Sequence, residues 1–216
     1  MGYDEKIFKA KANIKARRLW LVFAILLTAN YGTDTANGAY SVSNYIIFVI
    51  LCWLPFVCGD ILLKRKGKDN DHYRLAFVIG YGIFYVFLLC TTTSPIAFTY
   101  ILPIISLIVI FKDEKFMIYC AVANMISLIA SIAFHIFVLG QNTAIDHKNF
   151  QLQIACLLLC YIGYIMSVRH LTESDAALTE SIKSDLNRVV TTVKQVKTAC
   201  NTIMDGITAV SYTHLR

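Results

Sequence analysis

The chain has 216 residues, of which 57% are hydrophobic and 16% charged, with three prolines and a formal net charge of +6. Soluble domains carry about 25% charged and 45–50% apolar residues. The apolar excess here is gathered into long blocks, which excludes a soluble globular enzyme, a disulfide-rich secreted module and a disordered chain. The basic residues sit at the edges of those blocks, so the net charge is not a nucleic-acid signature.

The chain opens with a basic segment, 1–18, carrying Lys6, Lys9, Lys11, Lys15, Arg17 and Arg18 among Ile7 and Phe8. No small-residue cleavage site follows the first apolar run, so the segment is expected to stay and to lie on the cytoplasmic membrane surface. A membrane-spanning helix needs about 20 mostly apolar residues. Blocks at 45–63, 74–91, 116–139 and 151–168 meet or approach this length, and 95–111 opens with Pro95, whose missing N–H does no harm at a helix start. The first block is apolar only over 19–29 and is extended to 36, since Thr28 and Asn30 are tolerated near an interface.

Charge decides whether that block counts as a span. Lysine and arginine favour the cytoplasmic side. With it, the six N-terminal charges, then Lys64, Arg65, Lys66, Lys68 and Arg74, then Lys112 and Lys115, then Arg169 all fall inside, and only Lys148 falls outside. Six spans over 19–168, with both termini cytoplasmic in a plasma membrane, is the expected layout: an all-α membrane protein. Trp20 and Tyr119 near the inner face, and Tyr31, Tyr40 and Tyr45 near the outer face, fit interfacial belts.

The outer segments 30–44, 91–94 and 140–150 are expected to be loops too short for a folded domain. Tyr31, Asp34, Tyr40, Asn142, Asp146 and His147 are their polar side chains, and no ligand follows from them. Within the spans, Asp60 stands four residues before Lys64, the spacing of a helical ion pair. His135 falls near the outer end of the fifth span as an interfacial histidine. Ala123, Ser127 and Ser131 recur every fourth residue and suggest a helix-packing face, with Asn124 bonded across it; Ala76 and Gly80 make a weaker version in the third span.

No site for catalysis, a metal or a cofactor emerges. The seven cysteines lack ligand spacing, Cys156 and Cys160 alone being one helical turn apart. No phosphate-cradling glycine loop or HExxH motif occurs, and Gly80–Tyr81–Gly82 lacks the rest of a dinucleotide fingerprint. The chain is not expected to be an enzyme.

After Arg169 the composition turns polar and proline-free. Over 169–209, Leu186, Val189, Val193, Val196, Cys200, Ile203 and Ile207 recur in steps of three and four, a heptad seam. Leu178, Ile182 and Leu186 step by fours, a stutter that locally unwinds a coiled coil. The thirty-nine residues 171–209 would reach about 60 Å as a helix, and so narrow a stripe needs a second chain, so a homodimer through this seam is expected, with Lys194 and Lys197 on its flank.

The run VVTTVKQVKTACNTIMDGITA, 189–209, resembles the start of the cytoplasmic signalling helix of methyl-accepting chemotaxis proteins of the multi-span clostridial type. The resemblance implies a membrane chemoreceptor that dimerises, carries methylatable glutamates further along a long helical hairpin, and controls a chemotaxis histidine kinase through a coupling protein. The usual receptor has two spans and a large outer sensor domain, and neither is expected here; none of the family's methylation or tip residues can be matched. The final 210–216, VSYTHLR, breaks the heptad and matches the translation of a sequencing adapter, so it is expected to be foreign to a truncated chain. Two alternatives stay open. One is the sensor half of a membrane histidine kinase or cyclic-dinucleotide synthase, although His170 lacks a phosphoacceptor context. The other is a small transporter or channel subunit with a coiled-coil tail.

Overall fold

The computed structural model describes residues 5–92 and 94–214, with side chains described from 6 to 207 apart from 93. It is all-helical among those residues: α1 (Glu5–Ala36), α2 (Val42–Lys66), α3 (His72–Thr91), α4 (Leu102–Ile108), α5 (Glu114–Phe137) and α6 (Ala144–His214), with 3-10 turns at Ala97–Ile101 and Val109–Phe111 on either side of α4. Four helices, α2, α3, α5 and α6, are long and apolar enough to cross a membrane. Two compact units result, residues 1–169 and 170–216.

From residue 5 on, the basic segment 1–18 runs without a break into the first apolar block as α1. Ala12, Asn13, Ala16, Trp20, Ala24, Leu27 and Tyr31 are its buried positions, spaced by three and four along one stripe. Asn13 is held there because its Nδ2 donates to the carbonyls of Lys68 and Asn70 at 2.9 and 3.0 Å. Those carbonyls lie in the turn after α2, which Gly67 opens at φ 95°, a conformation that suits glycine.

Two of the expected belt residues belong to the core instead. Trp20 packs edge-on against Phe77 and Tyr81, with centroids 4.8 and 5.3 Å away, and Tyr31 stacks between Tyr40 and Phe48 at 4.4 and 4.2 Å. Phe48 continues to Phe84, and Phe84 to Tyr81, so rings from α1, α2 and α3 form one aromatic spine. Aromatic pairs of this kind contribute about 0.5–1.5 kcal/mol beyond their buried area. Tyr119, by contrast, is exposed.

Small residues set the approach of α2 to α3. A Cβ on Gly80 would lie 2.3 Å from Cβ of Pro55, and one on Gly59 would lie 2.9 Å from the Tyr73 ring. Pro55 sits inside α2 without ending it. Trp53 Nε1 donates to Thr28 Oγ1 at 2.9 Å, which links α2 back to α1 and gives the polar Thr28 a partner inside an apolar block.

The block expected at 95–111 is not one α-helix. Only Leu102–Ile108 is α-helical, with tighter turns on both sides. Pro103 explains part of this: it has no N–H for an α-helical bond to the Thr99 carbonyl, which takes the Leu102 N–H in a 3-10 turn, and none to offer the Tyr100 carbonyl. The Tyr81 hydroxyl donates to that carbonyl instead, and the Tyr85 hydroxyl donates to the carbonyl of Phe98 at 3.0 Å. Since a 3-10 turn rises about 2.0 Å per residue against 1.5 Å for an α-helix, the stretch reaches roughly 26 Å.

The second half of the expected loop 140–150 is helical. Thr143 and Asp146 cap the start of α6 reciprocally: Asp146 N–H donates to Thr143 Oγ1 at 3.2 Å, and Thr143 N–H donates to Asp146 Oδ2 at 2.9 Å. The described part of the unit 170–216 is helix alone, and every described side chain in it, through Ile207, is exposed. Of the expected foreign tail, the backbone of 210–214 is helical; its side chains, and residues 215–216, lie outside the described residues.

Candidate functional site

Charge gathers at one end of the 1–169 unit. The expected pair forms there, Lys64 Nζ lying 2.8 Å from Asp60, and Arg17 of α1 joins the same carboxylate at 2.6 Å. Lys9 pairs with Asp71, Arg74 with Asp113, and Arg169 with Glu114. Each of the last three joins segments far apart in sequence, which no helical spacing could have announced.

Asp113 is the best built of these. It caps α5 by accepting the Phe116 N–H at 2.9 Å and takes Arg74 Nη1 at 2.7 Å, while Arg74 lies over the Phe116 ring at 4.9 Å. Burial pushes the carboxyl upward, but the Phe116 N–H and the Arg74 guanidinium outweigh it and hold the group below its ordinary value. A depressed carboxylate adds stability that is present above the unfolded value of about 3.9 and is lost as pH falls through the lower folded value. Asp113→Ala is therefore expected to cost about 1–2 kcal/mol at pH 7. In thermal unfolding in detergent, the gap between variant and parent should close below pH 4.

Two polar pairs join the apolar helices to one another. Asn124 of α5 donates to the hydroxyl of Tyr161 on α6, and Ser106 of α4 shares a 2.6 Å hydrogen bond with the hydroxyl of Tyr164. Of the small-residue column, Ser131 is buried, Ser127 is half-buried with its hydroxyl donating to the Ala123 carbonyl, and Ala123 is exposed. The column runs obliquely to the face that packs, which is built from Met117, Cys120, Ala121, Leu128, Ser131 and His135. Asn124→Leu leaves the buried Tyr161 hydroxyl without its donor. A loss of about 1 kcal/mol is expected, and a double-mutant cycle with Tyr161→Phe should return most of it as coupling.

At the opposite end, His135 is buried with both ring nitrogens engaged, Nε2 on the Leu89 carbonyl at 2.8 Å and Nδ1 on the Gln141 side chain at 2.9 Å. It thus ties α5 to the end of α3 and to the turn before α6. Beside it is a cavity of about 100 Å³ floored by His135, Ser131 and Thr92 and bounded by Asp146, Asn149 and Gln153 of α6. Gln153 spans it by donating to the Pro95 carbonyl at 3.0 Å.

The polar loop residues do not converge on one place. Asp146 borders the cavity, but His147 turns to Asn142 at 2.6 Å. Tyr40 closes on Thr92 at 2.9 Å, and Tyr31 is in the aromatic spine. Asn149 and Gln153 carried no sequence signal, Asn149 lying in the segment expected to be a loop and Gln153 at the start of the 151–168 block. Among the described residues no group of three or more His, Cys, Asp or Glu is placed to hold a metal.

The seam residues Leu186, Val189, Val193, Val196, Ile203 and Ile207 are each exposed, as is Cys200. Among the described residues of one chain nothing covers this stripe. The class of protein that these features define is, among the described residues, all-helical with four membrane-capable helices, the last of which continues as a long C-terminal helix. Comparison with protein-family models, curated proteins and solved structures found no match.

Proposed function

We propose that the chain is the membrane and proximal signalling part of a chemoreceptor-type transducer, working by helix motion and not by chemistry. In this proposal α1 and the 97–111 stretch are also spans, giving six in the plasma membrane with the ion-paired end and both termini in the cytoplasm. The observation that carries it is the exposed 3,4-spaced apolar stripe from Leu186 to Ile207 on α6, the helix that also contains an apolar segment long enough to span a bilayer. A second copy of the chain is the occupant that the stripe suits, because a seam of this period buries itself best against its own equivalent. By the resemblance of 189–209 to methyl-accepting chemotaxis proteins, the dimer would act on a chemotaxis histidine kinase through its coupling protein.

Cys200 provides the test. In a variant whose other cysteines are replaced by serine or alanine, mild oxidation in native membranes should give a disulfide-linked dimer through Cys200. Moving the thiol to the opposite face, with Cys200→Ser and Thr198→Cys, should reduce the yield several-fold. Equal yields from both positions, or none from either, would rule out the seam.

A further inference from the structure

The cavity between the ends of α3 and α5 and the first turns of α6 has the build of a ligand site. Three polar side chains in its floor, Thr92, Ser131 and His135, are more than nine-tenths buried. His135 has both nitrogens tied to protein groups, so its ring shapes the floor without presenting a free nitrogen. Asp146 is the carboxylate on the lining, and no lysine or arginine is among the lining residues. Its Oδ2 is committed to Thr143, leaving the second oxygen for other use. Asn149 makes no side-chain hydrogen bond among the described residues and stands half-buried at the same wall. Phe98 and Phe150 supply apolar surface between these polar groups.

An anion entering here would meet Asp146 with no cation to offset it. A cation meets a carboxylate, amide oxygens and two aromatic rings, the set that holds an ammonium group. Size limits the choice further. An apolar cavity of about 150 Å³ accepts benzene, with six heavy atoms, so about 100 Å³ takes roughly four. We propose that this cavity binds the ammonium group of a small primary amine, with Asp146 as counter-ion, Asn149 as hydrogen-bond partner and the phenylalanine rings against the alkyl part. Binding here stands on the cavity alone and does not depend on what the seam of α6 does.

The probe is propylammonium chloride, titrated to about 10 mM into the full chain in detergent, because a ligand of four heavy atoms has its affinity ceiling in the tens of micromolar. Calorimetry should show saturable binding. Potassium chloride, sodium acetate and tetraethylammonium chloride at equal concentration should show none. Asp146→Asn keeps the size and part of the helix cap and should weaken binding at least tenfold. Asn149→Leu leaves the Thr143–Asp146 cap untouched and should also weaken it, which guards against a folding defect in the first variant. Acetate binding, undiminished affinity in folded Asp146→Asn, or no heat with propylammonium would overturn the proposal. Potassium binding as tightly as the amine would replace it with an inorganic cation site.

Discussion

Val193→Asp combined with Val196→Asp is expected to abolish the Cys200-linked dimer and to leave the chain monomeric in detergent at concentrations where the parent pairs. Both valines are exposed in the single chain, so neither substitution breaks a contact within it. In a paired seam the same positions are enclosed. Two aspartates per chain then place four carboxylates along one apolar interface, and each unpaired buried charge costs several kcal/mol. The dissociation constant should rise by more than about a thousandfold. Thr191→Asp with Thr198→Asp is the matched control. Those residues lie on the far side of the heptad, where their hydroxyls donate to the carbonyls of Asn187 and Lys194. The control adds the same charge and should leave the dimer intact; sedimentation velocity on the two double variants separates the outcomes.

Gly80→Val should be the most damaging single substitution within the helical bundle. The new Cβ would sit 2.3 Å from Cβ of Pro55 and 2.9 Å from its Cγ. A proline ring cannot rotate away, and its Cβ is fixed to the backbone of α2, so the relief has to come from moving the helices apart. Separation strains the neighbouring contact of Gly59 with Tyr73 and the aromatic spine packed on both helices. Overpacking of this kind costs about 3 kcal/mol at the upper end of its usual range. For a chain of this size that is roughly 6–12 °C in melting temperature. Gly82→Val isolates the cause: it is on the same helix with nothing within 4 Å of its Cβ position. It should be neutral or slightly stabilising, because glycine is the poorer helix former.

Apolar length and heptad spacing already mark α2, α3, α5 and the seam of α6 in the sequence, because both are properties of consecutive residues. The ion pair of Asp60 with Lys64 is legible for the same reason, four residues being one helical turn. Arg17, which completes that cluster from another helix, is not. Nor is the cavity, whose walls come from the end of α3, the 94–98 segment, α5 and α6. Asn124 and Tyr161 stand 37 residues apart and His135 and Leu89 stand 46 apart, so neither pairing leaves a local trace. The start of α6 could have been found: Thr143 and Asp146 are spaced as a capping pair, a signal stronger than the polarity that made the segment look like a loop.

The sequence by itself determined that the chain is helical, that several helices are long and apolar enough to cross a membrane, and where a narrow seam runs on the last of them. Only the tertiary structure decided which side of each apolar helix turns inward, why Trp20 is buried while Tyr119 is exposed, and that the 97–111 stretch is wound more tightly than an α-helix on both sides of a short α-helical centre. The reason is physical. A helix at a water boundary has one polar face and so declares its inner face, whereas a helix apolar all round has no such contrast. Its orientation is then set by close approach at small residues such as Gly80 and by the few hydrogen bonds, from Tyr81, Asn124 and His135, that find partners on other elements.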